Sequence, residues 1–170
     1  MNDEPQVEHR AEQPYAGIRL RVTMDTLSGA VDQGFPELFG WLAEHAIAPA
    51  GPPFIRYHVI DMAGEMEIEP GVPAEVTDEA AASQGGRVRA GVLPGGRYVV
   101  LQHVGPYDGL VASNAALQAW AEQQAVQFDT WDTDRGSAWR GRVEHYLTNP
   151  AEEPDPAKWE VDVAYLTKAT

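Results

Sequence analysis

A ten-residue run occurs twice in this chain, and the recurrence restricts the fold more than any other feature. Leu38-Phe39-Gly40-Trp41-Leu42-Ala43-Glu44-His45-Ala46-Ile47 lines up without gaps on Leu117-Gln118-Ala119-Trp120-Ala121-Glu122-Gln123-Gln124-Ala125-Val126. Both runs carry apolar residues at helical spacing. Strand-like segments flank each run. Residues 6–12 and 18–22 precede the first, and 54–61 and 63–69 follow it. Residues 87–92 and 97–104 precede the second, and 139–147 and 159–166 follow it. Tyr57 corresponds to Tyr146 once the longer second loop is allowed for, and Glu65-Met66-Glu67-Ile68 resembles Glu160-Val161-Asp162-Val163. The expected fold is α+β. Two duplicated strand–strand–helix–strand–strand units, 5–75 and 86–168, form one curved antiparallel sheet with two main helices. At 170 residues this is a single domain, and a groove between related halves is a natural ligand site.

Local signals sharpen the expectation. Residues 13–17 read as a turn, which makes 6–12 and 18–22 a hairpin. Residues 24–33 are ambiguous between helix and loop. Gly34 and Pro36 then interrupt the chain, with Pro36 suited to the first position of a new helix ending near His45. Residues 70–86, rich in Gly, Pro and small side chains, read as a seam between the halves. Pro106 and Asp108 suit the first turn of the second helix, which runs to about Gln124. The acidic stretch 128–138 reads as a loop, and 150–156 as a Pro-rich acidic loop.

Composition removes whole classes of function. The net charge of −14 repels phosphate backbones and anionic lipid, so neither direct nucleic-acid binding nor membrane binding is expected. The same charge suits a cationic ligand or a basic partner protein. There is no cysteine, hence no disulfide, thiolate nucleophile or zinc thiolate site. The first eight residues are polar, and no run of about eighteen apolar residues occurs, which points to a cytoplasmic protein. No metal is expected: His58, His103 and His145 fall in different strands, and Asp129, Asp132 and Asp134 lack the closing Glu of a calcium loop. No phosphate-binding, dinucleotide or nucleophile-elbow motif is present, and no cofactor is expected.

The chemistry concentrates in residues 140–147. Strand alternation sends Gly141, Val143, His145 and Leu147 to one face and Arg140, Arg142, Glu144 and Tyr146 to the other. A carboxylate and a phenol two positions apart are then neighbours. Glu144 is either a solvated strand residue paired with Arg140 or Arg142, or a buried acid. A surface pair is worth about 0–1 kcal/mol and does nothing more. A buried carboxylate ringed by aromatics selects a lipophilic cation, each ring adding about 0.5–2 kcal/mol by cation–π attraction.

Leu93-Pro94-Gly95-Gly96-Arg97-Tyr98, then His103-Val104-Gly105-Pro106-Tyr107, Trp120, the Glu144-to-Tyr146 strand and Asn149-Pro150 occur in an order that resembles GyrI-like small-molecule-binding domains. These are also the effector-binding domains of AraC-type and MerR-type regulators. The resemblance covers nearly the whole chain and implies a cleft for bulky, cationic or aromatic molecules. It implies that Glu144 is the acid of that cleft, surrounded by Trp120, Tyr146, Tyr107 and Tyr57. The helix-turn-helix module of the family's regulators is not expected in this chain. Three readings follow. One is a stand-alone binder that sequesters or senses hydrophobic, cationic aromatic compounds, as in drug resistance. Another is a hydrolase of cyclopropane-bearing, DNA-alkylating compounds, with Glu144 as base and Tyr146 or Tyr107 as proton donor. The last is a protein-interaction module that meets DNA gyrase or a regulator.

Overall fold

A computed structural model describes residues 4–61, 63–76 and 86–168. One antiparallel sheet runs through it in the order β1 (Gln6–Arg10), β7 (Gly96–Val104), β11 (Glu160–Leu166), β10 (Arg142–Tyr146), β4 (Phe54–Ile60), β5 (Met66–Pro73), β2 (Gln13–Gly17), β6 (Arg89–Leu93). The short β3 (Leu20–Val22) pairs with β5, and the hairpin β8 (Thr130–Thr133) and β9 (Gly136–Trp139) pairs with β4 through β9. Among the described residues two α-helices lie on one face: α1 (Leu27–Glu44) and α2 (Leu110–Gln123), the second entered through a single 3-10 turn at Tyr107–Gly109. Among the described residues, no helix is long and apolar enough to cross a membrane.

Strand alternation sorts the core into two layers. On the helix side, Val99 and Leu101 of β7 and Val161, Val163 and Tyr165 of β11 pack beneath Leu110 and Leu117 of α2. Ile55, Met66 and Ile68 pack beneath the first half of α1, and Ile18 and Val72 beneath Leu38, Trp41 and Leu42 further along it. On the other side Tyr15, Phe54, Tyr98, Val100, Val143, Ala164 and Leu166 form a cluster that neither helix touches. Glu144 and Tyr146 point to the helix side; Val143 belongs to the far layer.

The two matching runs end their helices in the same way. The Ile47 N–H donates to the Leu42 carbonyl and the Val126 N–H to the Ala121 carbonyl, both at 2.9 Å. Ala46 (φ 54°) and Ala125 (φ 58°) take the left-handed conformation that this closing turn requires.

Four local expectations are corrected. Residues 13–17 are not a turn: they form β2, and β1 pairs with β7 rather than with the strand that follows it. The hairpin of 6–12 with 18–22 is therefore absent: β1 pairs with β7, and β3 pairs with β5. Gly34 and Pro36 do not break the helix, since α1 is continuous from Leu27 to Glu44. An internal proline costs about 3 kcal/mol. Burying Leu38, Trp41 and Leu42 beyond it returns about 1.5–3 kcal/mol each, which decides in favour of continuity. The seam at 70–86 is partly strand, because β5 continues to Pro73; residues 77–85 lie outside the described residues. Finally, 128–138 is no loop. Asp134 and Arg135 make a two-residue turn between β8 and β9, with Gly136 at φ +131° and the Thr133 hydroxyl donating to the Gly136 carbonyl at 2.7 Å.

Candidate ligand-binding site

Glu144 lies on β10, near the middle of the sheet, between Ile55 of β4 and Val163 of β11. It is 6% exposed. Its Oε1 accepts from the Tyr57 and Tyr146 hydroxyls, both at 2.9 Å, and its Oε2 accepts from Asn114 Nδ2 at 3.0 Å. Among the described residues, no Lys or Arg nitrogen comes within 4.0 Å of the carboxylate. Three neutral donors hold it in place of a cation. That arrangement compensates lost hydration while leaving the charge itself unpaired.

Each donor is fixed by the local fold. Tyr57 follows from β4 pairing with β10, which sets its phenol beside Glu144 on the helix side. Tyr146 is the next same-face residue of β10 and packs against the clusters beneath both helices. Asn114 is delivered by α2, whose start is pinned by His103: Nδ1 meets the Ser113 hydroxyl at 2.7 Å and Nε2 meets the Pro106 carbonyl at 2.8 Å. Ordered by that anchor, Asn114 accepts from the Tyr165 hydroxyl at 2.5 Å and donates to Glu144.

The surrounding rings form two groups. Tyr107 stacks edge-on to Tyr146 at 5.5 Å and against Trp159 at 4.8 Å. Beyond Tyr57, the Arg142 guanidinium sits over Tyr165 (4.5 Å), Trp139 (4.7 Å) and Tyr57 (5.8 Å). Arg142 Nε and Trp139 Nε1 are buried and have no hydrogen-bond partner among the described residues. The site thus holds one carboxylate and, several ångströms away, one cation stacked among rings.

Burial, reinforced by the Glu144 charge, holds the Tyr57 and Tyr146 phenols well above their usual range, so both stay protonated donors. Tyr165 is pushed up to about 12, mainly by burial, against the opposing pull of Arg142 and Gln118. Burial likewise raises Tyr107.

Of the five residues expected at the site, four gather: Glu144, Tyr146, Tyr57 and, through its ring contact, Tyr107. Trp120 does not. On α2 it lies about a third of a turn away from Asn114. Its indole donates to Glu4 at 3.3 Å, out beside the β1 edge. The pairing of Glu144 with Arg140 or Arg142 is also absent: Arg140 bonds Asp129 at 2.8 Å and sits over Trp131. Sequence reasoning missed Asn114, Tyr165, Trp139 and Trp159, and it offered Arg142 as an ion-pair partner of Glu144, where the structure stacks it among rings. The one available signal was the polar pair Asn114 and Gln118, one turn apart beside the apolar stripe of α2. Among the described residues, no three His, Asp or Glu side chains converge to hold a metal ion.

The fold matches several solved structures. The EcmrR chain in a complex with DNA superposes with a TM-score of 0.74 at 18% identity over 98% of this chain, which spans 58% of that protein's length. The isolated EcmrR C-terminal domain matches over 98% of both chains, at 17% identity and a TM-score of 0.69. SAV2435 bound to tetraphenylphosphonium matches at 12% identity and a TM-score of 0.67, over 98% of this chain and 95% of its own. A hydrolase from Listeria innocua matches at 17% identity and a TM-score of 0.64, over 97% and 92%. None of the curated proteins matches this sequence significantly. At such identities the likeness concerns the fold alone. The family model for the GyrI-like small molecule binding domain, however, matches residues 3–165. With that match and the same curled antiparallel sheet under two helices, this chain belongs to the GyrI-like small-molecule-binding domains.

Proposed function

We propose that the chain binds hydrophobic, cationic, aryl-bearing organic molecules on the helix side of its sheet, at Glu144, between two related halves (5–75 and 86–168). The observation that carries this reading is the state of Glu144: buried, oriented by Tyr57, Tyr146 and Asn114, and without a cation at ion-pair distance. A lipophilic cation entering where the two helix-side clusters meet at Tyr146 supplies the missing charge. Tyr57, Tyr107, Tyr146 and Trp159 then offer it their rings. The tetraphenylphosphonium bound by SAV2435 is a molecule of this class. Sequestration or sensing of toxic cations is the biological role that such a site fits.

The test is calorimetric titration with tetraphenylphosphonium and with neutral triphenylphosphine oxide. The wild-type protein should favour the cation, and Glu144→Gln should lose most of that preference while keeping its fold by circular dichroism. Equal affinity for both molecules in the wild type, or an undiminished preference in Glu144→Gln, overturns the reading.

The second reading is hydrolysis, favoured by the two phenols on one carboxylate oxygen. Glu144 activates water as a general base, and Tyr146 or Tyr107 donates a proton to the departing atom. A cyclopropane-bearing alkylating compound should then yield its hydrated product faster with wild type than with Glu144→Ala; equal rates remove this reading.

A further inference from the structure

A second buried acid occupies the opposite side of the sheet. Glu69 of β5 is 4% exposed. Its Oε1 accepts from the Tyr15 hydroxyl at 2.5 Å and from His58 Nε2 at 2.8 Å. Arg19 Nη2, which can only donate, faces His58 Nδ1 at 3.4 Å, so His58 carries its proton on Nε2 toward Glu69. Arg56 Nη1 donates to the Tyr15 hydroxyl at 2.9 Å. Burial works to raise Glu69, but the bonds from His58 and Tyr15 prevail and hold it below the usual range. A charged carboxylate is therefore built into this face.

Around it lies a cavity of about 390 Å³, lined by Tyr15, Arg19, Arg56, Glu69, Arg87 and Arg89 together with residues 90–92 of β6. Four of the chain's ten arginines converge here, in a protein of net charge −14. Two are matched by carboxylates: Arg19 by Glu67 at 2.8 Å and Arg87 by Glu37 at 2.6 Å. The other two hold only neutral partners among the described residues. Arg56 bonds the Tyr15 hydroxyl and the carbonyls of Val92 and Arg140, and Arg89 bonds the carbonyls of Gly86 and Val88. Two uncompensated guanidinia against the one Glu69 carboxylate leave the cavity a net +1. Glycines make room for its side chains. A Cβ on Gly91 would fall 2.5 Å from the Tyr15 ring, and one on Gly17 would fall 2.6 Å from Glu69 Oε2.

We propose that this cavity is a second ligand site, selective for small organic molecules with an oxyanion head, a phosphate monoester or a carboxylate. Paired guanidinium donors match both groups in geometry and charge. The volume exceeds that of a bare oxyanion and falls in the range of ligand sites, leaving room for an organic body against Tyr15 and Val92. Glu69 Oε2, with no hydrogen bond among the described residues, accepts from a donor on the ligand. Glu69 lies on the face of the sheet opposite Glu144, and the charge preference of its cavity is opposite to that of the Glu144 side, so the proposal stands whether or not the Glu144 reading holds.

The experiment is titration of the full chain with phenyl phosphate, benzoate and phenol at constant ionic strength in chloride. Saturable binding of phenyl phosphate or benzoate is expected, with phenol at least tenfold weaker; the stronger of the two acids identifies the head group. Arg89→Gln and Arg19→Gln, both on exposed side chains, should each weaken the anion at least fivefold, while Glu144→Gln binds it as the wild type does. The proposal is overturned by absence of saturation, by parity of phenol with the acids, or by wild-type affinity in both arginine variants.

Discussion

Arg142 is the residue whose replacement separates the electrostatic account of the Glu144 site from a purely steric one. Its guanidinium sits 5.8 Å from the Tyr57 ring centre. A ligand cation stacked on the opposite face of that ring lies roughly 10 Å from it. At an effective dielectric constant of about 20, two like charges at that separation repel by about 1.7 kcal/mol. In Arg142→Met that repulsion disappears, and the thioether still fills the space against Tyr165 and Trp139. Affinity for tetraphenylphosphonium should rise roughly 10- to 20-fold. Affinity for neutral triphenylphosphine oxide should change no more than about twofold. Stability should move by only about 1 kcal/mol, because the lost cation–π contacts are offset by removal of a buried Nε that has no partner. Calorimetric titration of both ligands, with urea denaturation as control, reads all three quantities. Unchanged or reduced cation affinity in Arg142→Met refutes the reasoning, since the guanidinium would then be supporting the ligand rather than opposing it.

Three more outcomes follow from the same geometry. Burial, aided by Arg10, lowers His145 from 6.5 to about 4, and its Nδ1 is buried without a partner. The unfolded chain therefore binds the extra proton first, so stability falls as pH drops from about 6.5 toward 4, by up to about 3 kcal/mol from this residue. Urea denaturation at pH 7, 5.5 and 4.5 should show the slope in wild type and a flatter one in His145→Gln; parallel slopes contradict the assignment. All six tyrosines are held above their ordinary range, chiefly by burial. Ultraviolet titration of the native protein should accordingly show no phenolate population with a midpoint at or below about 10. Asn114→Asp places a second carboxylate about 3 Å from Glu144. It should destabilise the fold by roughly 2 kcal/mol at pH 7, with the deficit relative to wild type shrinking toward pH 5 as the pair takes up a shared proton. A pH-independent deficit in denaturation would show that the two groups do not face each other.

Particular residues show where the sequence was legible. The period-two pattern of 140–147 separates Glu144 and Tyr146 from Val143, and the two layers of the sheet divide them the same way. The matching runs foretold two helices, and both end in the same closing turn. What failed was pairing and propensity. β1 has a pattern that fits several partners, and its choice of β7 depends on contacts some ninety residues away. Pro36 signals a helix start locally, and only the apolar surface under Leu38, Trp41 and Leu42 overrides it. Asn114, Tyr165 and Arg142 reach Glu144 or its rings from separate elements. No spacing rule connects them, because the links are made across the sheet and through α2. Trp120 misled for the related reason that a helical residue beside an apolar stripe leans to either flank; here the flank is the β1 edge.

The most direct test is a crystal structure of the chain with tetraphenylphosphonium. The account predicts the phosphonium on the helix side of the sheet, within van der Waals contact of the Tyr146 or Tyr57 ring. Glu144 Oε1 or Oε2 should be turned toward it. A cation bound elsewhere, with Glu144 still held by Tyr57, Tyr146 and Asn114 as in the free protein, would contradict it.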